Sequence, residues 1–277
     1  MKGRRASLGQ HRGDVLLVSP HLDDAVLSCE AWISRENALD ILTVFCGRPV
    51  PPVESPWDLE AGFANSDVAL ESRLAEDDAA FAGTPHRRQH LDLLDQQYLD
   101  RDRTPEEAAS LAAWVTDWVT QAHDPLVLVP VGAGLRPPEP LARVPLAGRV
   151  VAAIERRLRR LWHLLDREHR SGRPPHIDHV WVSEVVTEAL APTGARLCFY
   201  AEFPYSRGGD GRRAIAAFRR AHGWTTLERL DVPVDRDRKA RRVAAYHSQI
   251  ETTSDAGGRL DEPRGLAPVE TYWYVAN

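Results

Sequence analysis

The chain has 277 residues and a formal net charge of −5, with 43% hydrophobic and 27% charged residues. That is the composition of a globular protein, and it excludes a disordered, collagen-like or coiled-coil chain. The acidic balance argues against general nucleic-acid binding, and no apolar run approaches the roughly 18 residues of a membrane span. Cys29, Cys46 and Cys198 share no metal-type spacing, and the basic start of the chain has no apolar signal core. Reduced thiols and a cytoplasmic location are the expectation. Two lysines stand against 33 arginines, a bias typical of high-GC bacterial genes.

The apolar pattern alternates in chain order between short continuous runs and longer helical periods. Val15–Val18 reads as a buried strand and Asp24–Arg35 as a helix with Val26, Leu27 and Ile33 to one side. Ile41–Phe45 is a second strand, and Ser66–Phe81 an amphipathic helix with Leu70, Leu74 and Phe81 facing inward. His90–Leu94 reads as a short strand, Pro105–Thr120 as a helix and Leu126–Val131 as an apolar strand. Strands without polar alternation, spaced by helices, predict an α/β, Rossmann-like fold: a mostly parallel sheet with helices on both faces. A single domain over residues 1–277 is expected.

One stretch interrupts this rhythm. A Gly/Pro-rich segment follows Val131, and Leu146–Arg170 then has helical spacing of Val150, Ile154, Leu158, Leu161 and Leu165. Over Leu135–Pro174 ten arginines face four acidic residues, a local +6 that leaves −11 for the rest of the chain. This 135–174 segment is expected to be a helical insertion. Its apolar stripe suits packing on the core, an acyl groove or a face for homo-oligomer formation, and the sequence leaves these open.

Two motifs carry chemistry. Ser19-Pro20-His21-Leu22-Asp23-Asp24 directly follows the first strand, where open parallel sheets place their ligands. His21 and Asp24 can aim an imidazole and a carboxylate at one point; the alternative is that Asp23 or Asp24 merely caps the helix. Pro175-His176-Ile177-Asp178-His179 precedes the apolar segment Val180–Leu190 and sets two histidines three apart. Its bland alternative is a polar loop that caps a helix through Asp178. Together the motifs supply three N/O donors of the kind a catalytic zinc takes, plus two acid–base groups.

On these motifs the chain resembles the PIG-L (LmbE-like) family of zinc-dependent N-deacetylases, whose signatures are P-H-P-D-D-E and H-x-D-H. The helix containing Arg73 and Glu76, the segment Leu91–Tyr98, the stretch Tyr200–Tyr205, and Lys239 with Tyr246-His247-Ser248-Gln249 agree more weakly. The resemblance implies one zinc per chain on His21, Asp24 and His179. It makes Asp23 the general base and His176 the group that stabilises the tetrahedral intermediate or protonates the departing amine. Arg73 and Asp95 match positions expected to touch sugar hydroxyls; their ordinary readings are a solvated helix face and a turn aspartate. Leu22 and Ala25 depart from the signature without replacing a ligand. The implied activity is hydrolysis of an N-acetyl or N-acyl group from a glucosamine-containing conjugate, in bacterial thiol-cofactor or secondary metabolism. The small-molecule substrate of the alternative is a non-sugar amide, peptide-like or long-acyl, and a noncatalytic sugar-binding relic is a third reading. The family usually runs from the strand matching Leu126–Val131 to the second histidine motif within a few residues. Here about 40 intervene, so the insertion is expected to shape substrate access.

Overall fold

A computed structural model describes residues 11–35, 37–132, 176–206, 210–222, 227–254 and 258–275. The expected insertion at 135–174, its Leu146–Arg170 helix included, lies outside the described residues. Seven strands form one mixed sheet: β1 Val15–Ser19, β2 Asp40–Thr43, β3 Arg87–His90, β4 Leu126–Pro130, β5 Arg196–Tyr200, β6 Leu227–Pro233 and β7 Val269–Val275. Their spatial order is β3-β2-β1-β4-β5-β7-β6. The first five are parallel, with Leu17 opposite Ile41 on one side and Leu128 on the other; β7 runs antiparallel to both β5 and β6.

Alternation along each strand sorts its side chains into two cores. Val15, Leu17, Ile41, Leu126, Leu128 and Tyr200 project to one face, where they meet α1 (Asp24–Ile33) and α7 (Arg236–Val243). Leu16, Val18, Leu42, Val127, Val129 and Phe199 project to the other, against α4 (Pro105–Gln121), α5 (Ile177–Leu190) and α6 (Asp210–Ala221). Among the described residues the remaining α-helices are α2 (Pro56–Glu60), α3 (Ser66–Ala80) and α8 (His247–Thr253). Helix starts follow local chemistry: Asn65 accepts from Asp67 and Val68 at α3, and Thr104 with Glu107 forms a capping box on α4 behind Pro105. Among the described residues no helix is long and apolar enough to cross a membrane.

Two expectations need correction. The third strand is Arg87–His90, and His90–Leu94 begins where that strand ends. β3 is an edge strand of polar residues, held by pairing to β2 and by Arg87 on Asp40 (2.5 and 2.7 Å), so apolar content was the wrong guide there. Helix α1 is also buried on nearly every side, not on one.

α1 is broken at Cys29, whose φ of −133° and ψ of 29° are not helical. The buried Lys239 ammonium donates to the Leu27 carbonyl (2.6 Å) and to Glu270 Oε1 (2.7 Å). Glu270 also accepts from the amides of Glu30 (3.0 Å) and Ala31 (2.9 Å) and from the Tyr272 hydroxyl (2.7 Å). The groups freed by the break are thus satisfied by one buried ion pair.

Candidate active site

The carboxyl ends of β1 to β5 all deliver residues to one place, as expected for an open parallel sheet. His21, Asp23 and Asp24 follow β1, Phe45 follows β2, Asp95 follows β3, His176 and His179 open α5 after β4, and Glu202 follows β5. Neither Asp23 nor Asp24 serves as a helix cap. Asp23 makes no side-chain cap bond, and Ser19 Oγ accepts from Ala25 N (3.0 Å) instead. His176 is the residue before α5 and likewise makes no capping bond.

Three donor atoms form a near-equilateral triangle. His21 Nδ1 lies 3.0 Å from Asp24 Oδ2, His179 Nε2 lies 3.1 Å from the same oxygen, and the two nitrogens are 3.3 Å apart. His21, Asp24 and His179 are all buried. His176 stands beside the triangle, its ring 4.5 Å from that of His179 and 4.9 Å from that of His21, and its buried Nδ1 has no hydrogen-bond partner among the described residues. Asp23 turns to Arg73, whose guanidinium donates to Oδ1 at 3.2 Å. Asp95 caps a 3-10 turn at Gln96–Tyr98 through Gln97 N (3.0 Å) and places Oδ2 3.5 Å from His21 Nε2. All seven residues singled out in the sequence therefore lie in one region, with Arg73 turned onto Asp23.

The weaker segments support this region from behind. Glu76 of α3 accepts from Ser248 N and Oγ, both at 2.8 Å, and Asp77 accepts from the Tyr246 hydroxyl at 2.7 Å. These contacts tie α3, and with it Arg73, to the start of α8.

Three participants are not singled out by the sequence. Asp178 is fully buried, 3.3 Å from His21 Nε2 and paired with Arg103. Glu202 is fully buried, 3.5 Å from His179 Nδ1, and accepts from Gly132 N at 2.6 Å. Asp178 stands inside the second histidine motif, where only a capping role was weighed for it. Glu202 stands inside the Tyr200–Tyr205 stretch, and nothing near Arg103 marks it among 33 arginines.

The electrostatics are one-sided. Five carboxylates, Asp23, Asp24, Asp95, Asp178 and Glu202, meet two guanidiniums, Arg73 and Arg103, among the described residues. The imidazoles respond. Against burial, Asp95, Asp178 and Asp24 raise His21 well above the ordinary histidine range. Against burial, Asp24 and Glu202 push His179 up to about 9. Burial and the charge of Asp24 raise Asp23, while burial and the two neighbouring imidazoles pull His176 well down. Among the described residues, the carboxylates that raise these two histidines outnumber the guanidiniums beside them.

No family model matches the sequence, and no curated protein matches it. Solved structures do. The zinc-inhibited form of teicoplanin deacetylase Orf2 superposes with a TM-score of 0.60 at 20% identity, covering 95% of this chain and 98% of that one. The A40926 pseudoaglycone deacetylase Dbv21 superposes with a TM-score of 0.58 at 20% identity over 96% and 100%. A complex of the deacetylase of the teicoplanin pathway with teicoplanin gives 0.58 at 21% over 95% and 98%. The chain shares their fold. The α/β reading of the sequence, with its mostly parallel sheet, holds.

Proposed function

We propose that the protein is a zinc-dependent N-deacetylase that removes an acetyl or related acyl group from a glucosamine-bearing conjugate of bacterial secondary metabolism. The observation that carries this reading is the donor triangle of His21, Asp24 and His179. Ligand atoms around a tetrahedral zinc at 2.0–2.1 Å lie about 3.3 Å from one another, and the sides here are 3.0, 3.1 and 3.3 Å. The excess of carboxylates over guanidiniums among the described residues also fits a dication. His21 Nδ1, Asp24 Oδ2 and His179 Nε2 would hold one zinc per chain, leaving a position open to substrate. Bound there, zinc supplies Lewis acidity toward an amide oxygen and lowers the pKa of water.

The chain's own residues do the rest. Asp23 accepts the proton of the attacking water through its carboxylate, kept in place by Arg73. His176, the imidazole outside the triangle, is neutral at rest because burial and the neighbouring imidazoles pull it down. It stabilises the tetrahedral intermediate through a ring N–H or relays to the amide nitrogen the proton that Asp23 has taken, so that the amine can leave. Water is consumed, and a carboxylate and a free amine result. Arg73 and Asp95 line the approach where sugar hydroxyls would sit. The A40926 pseudoaglycone for which one deacetylase of this fold is named, and the teicoplanin held in complex by another, support a large conjugate over a free sugar.

The insertion at 135–174 is assigned to substrate access. Its flanks lie at the site: Gly132, at a φ of 65°, donates to Glu202, and a Cβ added there would stand 3.1 Å from Val180 Cα. The test is acetate release from a panel of N-acetylglucosaminides, inositol-linked, nucleotide-linked and peptide-linked, with and without a chelator. Release that the chelator stops is expected; no release from any member by zinc-loaded protein would refute the sugar assignment.

A further inference from the structure

The two histidines of the triangle face it through different nitrogens. His21 presents Nδ1 and turns Nε2 outward to Asp178 Oδ2 at 3.3 Å. His179 presents Nε2 and turns Nδ1 outward to Glu202 Oε1 at 3.5 Å, an ion-pair contact longer than a hydrogen bond. A neutral imidazole offers a lone pair on one nitrogen only if the other carries the hydrogen. His21 therefore needs its proton on Nε2 and His179 on Nδ1, opposite tautomers within one site.

Both outer carboxylates are themselves fixed. Glu202 accepts from Gly132 N at 2.6 Å. Asp178 accepts from Gln96 N at 3.1 Å and pairs through its other oxygen with Arg103. Arg103 lies just before α4, outside every motif, with a side chain only 4% exposed. Its guanidinium carbon sits 4.1 Å from the centre of the Phe45 ring and 4.8 Å from that of Trp181. A planar cation held against two aromatic rings presents its edge in one direction, which a lysine would not reproduce. His21, Asp95 and Asp178 also bring ligand-type atoms within 4.8 Å of one another. A guanidinium already neutralises Asp178 there, so this trio orients His21 and does not gather a second cation.

We propose that Glu202 and the Arg103–Asp178 pair are positioning residues that set opposite tautomers of His179 and His21, with Arg103 acting through Asp178. The inference rests on the metal reading above and adds the groups that aim its ligands. Carboxylates behind metal-bound histidines typically contribute about 10- to 100-fold to metal affinity.

The direct experiment is long-range proton–nitrogen NMR of the histidine rings in zinc-loaded wild-type protein. It should show His21 protonated at Nε2 and His179 at Nδ1; the same tautomer at both would overturn the proposal. Zinc competition titrations give the second readout. Glu202→Leu and Arg103→Gln should each weaken zinc binding about 10-fold or more, Glu202→Gln should restore part of the loss, and Arg103→Gln with Asp178→Asn should bind no more weakly than Asp178→Asn alone. Unchanged affinity in folded Glu202→Leu and Arg103→Gln would also overturn it. Should Arg103→Gln fail to fold, Arg103→Lys carries the same titration. Wild-type protein that binds no zinc would sink the metal reading and this inference together, whereas zinc binding with the wrong tautomers would sink only the inference.

Discussion

Two clusters of buried charge lie along the broken helix α1, one at its start and one at its break, and they are built differently. Behind the break, Lys239 and Glu270 cancel in charge, and hydrogen bonds run from Lys239 to Leu27 and into Glu270 from Glu30, Ala31 and Tyr272. At the front, among the described residues, five carboxylates meet two guanidiniums, and His176 Nδ1, His179 Nδ1 and Arg103 Nε lack hydrogen-bond partners. The first cluster is complete as it stands, which is the mark of a scaffold; the second, among the described residues, holds more carboxylates than guanidiniums and leaves polar atoms unused, which is the mark of a site that takes ligands. Burial and charge alone do not separate the two. Balance and satisfaction do.

The comparison can be broken by substitution. Asp24→Asn, which removes a ligand charge from the front cluster, should abolish zinc binding and turnover while the apo protein stays folded. Asp23→Asn should retain zinc and lose about 100- to 10,000-fold in kcat; near-normal turnover would refute its role as base. Lys239→Met, at the back, should leave zinc affinity unchanged and lower the stability of apo and zinc-loaded protein alike by about 3–5 kcal/mol, because Glu270 is left buried without its counter-charge. A loss of zinc affinity in folded Lys239→Met would show that the clusters are not separate.

A smaller effect concerns the sheet edge. Against partial burial, hydrogen bonds from Arg87 and Trp118 hold Asp40 below the ordinary carboxyl value of 3.8. A depressed folded pKa contributes stability above that ordinary value and loses it as pH falls through the folded pKa. Asp40→Asn should cost about 1 kcal/mol at neutral pH, and its difference from wild type should shrink in acid unfolding curves below about pH 4.

How far the sequence discloses all this depends on whether the signal is local. β1, β2 and β4 are continuous apolar runs because parallel strands are covered on both faces, and they are legible for that reason. β3 is polar because it is an edge, while β6 and β7 mix polar with apolar residues in an antiparallel pair, so a search for apolar runs passes over them. His21, Asp23 and Asp24 sit together in the chain, as do His176 and His179, and short motifs reveal them. Arg103 reaches Asp178 across 75 residues and Glu202 reaches Gly132 across 70. Such partnerships exist only once the sheet has brought the ends of β4 and β5 and the start of α4 together.

The most direct measurement is zinc stoichiometry by equilibrium dialysis on wild type, Asp24→Asn and Lys239→Met. The account predicts one zinc per chain in wild type and in Lys239→Met, and none in Asp24→Asn. Zinc retained at full stoichiometry by Asp24→Asn, or absent from wild type, would contradict it.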